Sequence, residues 1–132
     1  MVNKIVHALA KKKVSVGGAK ILILGISYKK DIGDIRHSAA IKILAMLKEM
    51  DAKISYHDPL IPEIANLPPY PQLKMKSIRL IYPKLEKYDA VIIVTDHSSY
   101  DWKKILEHSS LIIDTCNVMD GLPGAQTKVI KA

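Results

Sequence analysis

The chain has no phenylalanine, one tryptophan and one cysteine, and no acidic residue before Asp31. A single cysteine excludes an internal disulfide, so packing and not cross-linking must hold the fold. No run approaches the roughly 18 apolar residues of a membrane span. No charged-then-apolar leader opens the chain, and the expectation is a cytoplasmic protein without a membrane partner. No G-x-G-x-x-G is present, which removes the usual fingerprint of an independent dinucleotide site. The missing acids explain the charge: residues 1–30 carry seven lysines, whereas residues 31–132 balance 13 basic against 13 acidic side chains, so the whole excess of +7 precedes Asp31. Nucleic-acid binders spread Lys and Arg over a face with aromatics interleaved. Here there is no arginine cluster, and Lys4 with Lys11–Lys13 reads as the solvated side of a helix, so a nucleic-acid partner is not expected.

What is present suffices for one core: 132 residues, 48% of them hydrophobic, make a single domain of ordinary size. Val2, Ile5, Val6 and Leu9 recur at helical spacing and form one apolar stripe. Residues 14–19, with Gly17 and Gly18, read as a linker. Ile21 to Leu24 is a short apolar run suited to a strand buried on both faces. Gly25 ends it, and a loop carrying Tyr28, Lys29, Lys30, Asp31, Asp34 and Arg36 follows. Ser38 or a neighbour is placed to cap a helix running to about Met50. That helix has more apolar positions than one core face requires, so cover on two sides is expected.

Lys53 to His57 alternates as a strand that Asp58-Pro59 stops. Residues 59–73 hold five of the seven prolines and read as an ordered or semi-ordered loop and not another helix. Ile78 to Ile81 is a candidate short strand, Ala90 to Thr95 a buried strand, Asp101 to Glu107 a short helix, and Leu111 to Asp114 another buried strand. Strands alternating with helices predict an α/β three-layer fold, a Rossmann-like, mostly parallel sheet flanked by helices.

In such sheets ligands bind beyond the carboxyl ends of the strands. The residues there are Tyr28, Lys29 and Lys30, then His57 and Asp58, then Asp96 and His97, then Asp114, Thr115 and Cys116. A lysine ammonium at this edge can meet a phosphate or a sugar hydroxyl, or simply face solvent. Tyr28 offers a base a stacking face, or fills core. Asp31 and Asp34 read as loop hydrogen-bonders. Arg36 has a planar fork suited to a pyrophosphate, or pairs with Asp34. The spacing of His57, Asp58, Asp96, His97 and Cys116 matches no ligand motif, and no metal is expected.

The pattern G-x-x-Y-K-K-D-x-x-D-x-R-x-S over residues 25–38 resembles the signature of the UDP-glucose/GDP-mannose dehydrogenase family, in its C-terminal domain. Tyr56-His57-Asp58-Pro59, Asp89-Ala90-Val91, Thr95-Asp96-His97-Ser98 and Ile113-Asp114-Thr115 follow in register, so the resemblance spans roughly residues 20–120. It implies an oxidoreductase that converts the C6 hydroxyl of a nucleotide sugar to a carboxylate with two NAD, through an adduct on a cysteine. This chain resembles only the nucleotide-sugar-binding end. The resemblance implies Tyr28, Lys29 and Cys116 as substrate-binding positions for a UDP-sugar and Arg36 as an NAD contact.

Cys116 departs from the family pattern. It stands where an arginine is usual, it is not the family's nucleophile, and no catalytic residue is assigned. Residues 1–16 are expected to be the tail of a missing central helical region, or else a helix packed on its own domain, and residues 17–132 the binding domain. The isolated chain is then expected to be inactive. Its partners would be the missing N-terminal and central domains, and a homodimer in the full enzyme. The wording around His57 and His97 leans toward enzymes acting on UDP-N-acetylhexosamines. The alternative is a stand-alone nucleotide- or RNA-binding or scaffold module.

Overall fold

The computed structural model describes all 132 residues. Helix α1 (Val2–Lys11) leads through a turn into strand β1 (Lys20–Leu24), helix α2 (Ala39–Glu49) and strand β2 (Lys53–His57). Two short strands, β3 (Glu63–Ile64) and β4 (Met75–Lys76), pair antiparallel and apart from the main sheet. A 3-10 helix (Tyr82–Lys87), β5 (Ala90–Ile93), α3 (Trp102–His108), β6 (Ile112–Asp114), α4 (Ala125–Lys128) and β7 (Val129–Lys131) complete the chain. The main sheet is wholly parallel, in the order β2-β1-β5-β6-β7. The chain works outward from β1 in one direction to β2 and then in the other through β5, so the switch point of a doubly wound sheet lies between β1 and β5.

Successive side chains of a strand point to opposite faces, and in β1 both faces are covered. Ile21 and Ile23 join a core with Ile5 and Leu9 of α1 and Ile41, Leu44 and Leu47 of α2. Leu22 and Leu24 join a second core with Leu85 of the 3-10 helix and Ile105 of α3. These four β1 side chains are fully buried, each worth about 1.5–3 kcal/mol on transfer from water. The three-layer α/β fold is therefore a direct consequence of unbroken apolar strands. No helix is long and apolar enough to cross a membrane.

Several elements differ from their sequence-based expectation. Ile78–Ile81 is not a strand: Ile78 donates one backbone bond to Tyr56, and the chain then enters the 3-10 helix with Pro83 in its first turn. A proline lacks the N–H that a ladder needs but suits a helix start. The proline-rich segment is ordered, as expected, but contains the unexpected strand β3, whose buried Ile64 anchors the small hairpin to the core. The edge strand β7 was not expected. It follows four-residue α4 without a break, too short a stretch for any periodicity to register.

The cap at Ser38 forms as expected, its side chain accepting the Ala40 N–H at 3.2 Å. The sheet and α1 cover α2. Met46 and Met50 nonetheless remain 41% and 38% exposed, so the apolar surplus is only partly covered.

Candidate functional site

The site is assembled where β1 and β5 end side by side. Gly25 has φ +82°, and a Cβ there would lie 2.3 Å from the Thr95 carbonyl oxygen. Only glycine permits both the left-handed turn and this approach. Thr95 then donates its hydroxyl to the Ser27 carbonyl at 2.7 Å, joining the two strand ends.

Behind this junction sits Asp58, 2% exposed, at the end of β2. Its Oδ2 accepts from the Ile26 N–H at 2.8 Å, the Ser27 N–H at 2.9 Å and the Ser27 hydroxyl at 2.7 Å. Its Oδ1 accepts from the Leu60 N–H at 2.8 Å. Burial by itself would raise the pKa of this carboxyl, but the bonds from Leu60, Ser27, His97 and Ile26 outweigh it and hold the group below the ordinary carboxylate value. Asp58 is thus an internal anion held by the loop that leaves β1.

His97, 1% exposed, lies between that anion and the same loop. Its Nε2 is 2.9 Å from Asp58 Oδ2, and its Nδ1 accepts the backbone N–H of Asp31 at 2.9 Å. A ring nitrogen that accepts an N–H bears no proton, so the bonding assigns the neutral tautomer with Nε2 as donor to Asp58. Asp31 has φ +60°, a left-handed backbone that costs a non-glycine residue roughly 1–2 kcal/mol. Its carboxylate accepts from the N–H of Ser98 at 2.8 Å and from the Ser98 hydroxyl. These bonds lower its pKa, the Ser98 hydroxyl acting most strongly.

Tyr100 closes the cluster. Its hydroxyl donates to the His57 carbonyl at 2.9 Å and lies 3.1 Å from His57 Nδ1, and burial raises its pKa. Burial also lowers the pKa of His57, despite Asp58 nearby.

On the outer side of this framework the expected binding residues Tyr28 and Lys29 are exposed. Tyr28 is 52% exposed, with its N–H bonded to the Asp34 carbonyl, and Lys29 Nζ lies 5.6 Å from its ring. Neither Lys29 nor Lys30 is in an ion pair. An ammonium that has no carboxylate partner and stands over an exposed aromatic ring can exchange that contact for a phosphate while the ring meets a base.

Arg36 clamps Asp34 with both arms of its fork, Nε to Oδ1 at 3.1 Å and Nη2 to Oδ2 at 2.9 Å. That pairing holds Asp34 down to about 2. Arg36 also lines a cavity of about 480 Å³ at the start of α2, together with His37, Lys42 and Tyr70; Tyr28 and Lys29 do not line it.

Cys116 is half-buried and its sulfur is engaged, 3.3 Å from the Val94 carbonyl. Burial raises its thiol pKa, so the reactive thiolate is disfavoured. Asp114 is occupied in shaping the following turn, accepting the N–H groups of Cys116 and Met119. Asp31 and Cys116 both bond to the segment after β5, so the loops bearing Lys29 and Cys116 reach it from its two sides. No group of three His, Cys, Asp or Glu side chains is arranged to hold a metal ion.

The residues that organise this edge, Ser27, Asp58, His97 and Tyr100, are not those that sequence reasoning named as binders. Asp58 and His97 were visible as strand-end polar residues. Their burial and mutual contact, across 39 positions, had no expression in local pattern.

Comparison with known proteins identifies this architecture. The profile of the UDP-glucose/GDP-mannose dehydrogenase family, UDP binding domain, matches residues 22–121. The chain belongs to this family. Among curated relatives, the UDP-glucose 6-dehydrogenase of Rickettsia typhi is 32% identical over 113 residues, covering 78% of this chain and 25% of that protein. The UDP-N-acetyl-D-glucosamine 6-dehydrogenase of Pseudomonas aeruginosa is 24% identical over 100 residues, covering 76% of this chain and 22% of that protein.

Among solved structures, an NDP-N-acetyl-D-galactosaminuronic acid dehydrogenase from Methanosarcina mazei superposes with a TM-score of 0.73 at 23% identity, over 98% of this chain and 27% of that one. A UDP-D-ManNAc dehydrogenase from Pyrococcus horikoshii gives 0.71 at 24% identity, over 95% and 28%. These structural likenesses establish the fold. The chain spans about a quarter of the length of the dehydrogenase-family relatives it matches.

Proposed function

We propose that this chain is the UDP-sugar-binding lobe of an NAD-dependent nucleotide-sugar 6-dehydrogenase, and that it does not catalyse by itself. The observation that carries the reading is the Lys29 ammonium, without a carboxylate partner and standing over the exposed Tyr28 ring, on the loop at the β1/β5 switch point, within the part of the chain that matches the family's UDP binding domain. Lys29 would meet the diphosphate and Tyr28 would lie against the uracil. Asp58 and His97 remain behind them as a fixed backing. Holding the nucleotide end positions the distant C6 hydroxyl, so binding energy remote from the reacting atoms serves the chemistry.

NAD would accept hydride when bound. The residues here fit only an edge contact with it: Gly25-Ile26-Ser27 is not a dinucleotide turn, while Arg36 presents an exposed guanidinium already aligned for bidentate pairing. Arg36 would exchange Asp34 for a cofactor phosphate. The catalytic cysteine and the main NAD site belong to other regions of a longer, cytoplasmic and homodimeric enzyme. In this reading residues 17–132 carry the binding edge, and residues 1–16, whose helix α1 packs into the same core, join it to a preceding helical region.

Cys116 occupies the place of a second cation for the nucleotide, which should weaken binding. Calorimetric titration with UDP and UDP-N-acetylglucosamine tests the reading. Lys29→Ala is expected to weaken UDP binding at least tenfold and Cys116→Arg to strengthen it. Equal affinities in all three proteins would overturn it.

A further inference from the structure

We propose that His97 is a positioning residue, a latch that holds the Tyr28–Lys29 loop in its binding conformation; this rests on the UDP-sugar-binding reading above. The loop's backbone turns at Asp31, a non-glycine residue at φ +60° that must be held in place by its surroundings. Two bonds do this. The Asp31 N–H donates to His97 Nδ1, and the Asp31 carboxylate accepts from Ser98, the next residue after the histidine. His97 is fixed in turn through Nε2 by Asp58, a carboxylate with no exposed side-chain surface. A chain of bonds therefore runs from the interior through one imidazole to the backbone two residues beyond Lys29.

The two ring nitrogens have separate duties. Nε2 satisfies the buried anion, and Nδ1 holds the loop. A role in stability alone would need only the first. The imidazole is too buried to touch a ligand itself, so its influence on binding must pass through Asp31.

The duties can be separated because an asparagine side chain reaches about as far as Nδ1 and a glutamine about as far as Nε2. His97→Gln keeps a donor for Asp58 and removes the acceptor for Asp31. His97→Asn does the reverse. In the 132-residue chain, amide hydrogen exchange, thermal unfolding and UDP titration are measured for the wild type and both variants.

The latch predicts a crossed pattern. In His97→Gln the Asp31 amide should exchange at least tenfold faster and UDP should bind about tenfold more weakly, with the unfolding midpoint little changed. In His97→Asn the midpoint should fall while Asp31 protection and affinity in the folded protein persist. An Asp31 amide as protected in His97→Gln as in the wild type would overturn the latch, as would parallel losses of stability and binding in both variants. A wild type that fails to bind UDP would instead overturn the UDP-sugar reading, and exchange at Asp31 alone would then decide the latch.

Discussion

The segment between β1 and α2 is engaged by two carboxylates whose pKa values are both lowered, for different reasons. Asp58 has no exposed side-chain surface and accepts from the Ile26, Ser27 and Leu60 backbones, the Ser27 hydroxyl and His97. Asp34 is partly exposed and is paired with an arginine that is 78% exposed. Water cannot replace the partners of Asp58, so removing the carboxylate strands several donors at once. Water or a ligand can replace either partner of the exposed pair at little loss. The first arrangement is suited to holding a site in shape and the second to being exchanged.

The sharpest way to break this comparison is Asp58→Ala. It should cost about 3–5 kcal/mol in urea unfolding, the usual consequence of removing one partner from a buried charged cluster. A loss below 1 kcal/mol would mean that the neighbouring donors find other acceptors. Gly25→Ala comes next, because the added methyl group meets the Thr95 carbonyl and the residue keeps a positive φ. Overpacking and backbone strain together predict about 2–4 kcal/mol. A near-neutral result would show that the two strand ends are free to part.

Acid sharpens the contrast between the buried groups. His57 has a folded pKa below its ordinary 6.5, so the unfolded chain binds the proton more tightly and stability falls as pH drops from 6.5 toward the folded value. Asp58 has a folded pKa below 3.8, so its contribution is complete above that pH and is lost as pH falls through the folded value. Unfolding measured across pH should therefore decline in two limbs. His57→Gln should flatten the upper limb and Asp58→Asn the lower; an unchanged profile in either variant would refute the corresponding assignment.

The smallest effect is expected at the exposed clamp. Arg36→Ala should leave the unfolding midpoint within error of the wild type. If the midpoint drops, the pair is structural and not exchangeable.

Much of the fold was legible. β2 has the bounds its alternation predicts, the helix cap expected at Ser38 or a neighbour is Ser38, and α3 lies within one residue of its expected place. Each carries a local signal: alternation stopped by Asp-Pro, or a side chain able to accept a helix N–H. β7 carried none, since three residues acquire strand character only by lying beside β6.

At the site, the polar strand ends were legible as a set because parallel topology forces them to one edge. Their division of labour was not. Lys29 and His97 both look like basic residues following a strand, yet one faces water and the other lies between two acids.

The sequence by itself determined the layers and the edge where ligands are met, because apolar runs must be buried and parallel strands end together. Tertiary structure alone decided that Asp58 became an internal anion and that His97 joined Asp58 to the loop of Lys29. Hydrogen bonds between residues dozens of positions apart depend on strand order and on the close approach at Gly25, and neither is written in any local stretch of chain.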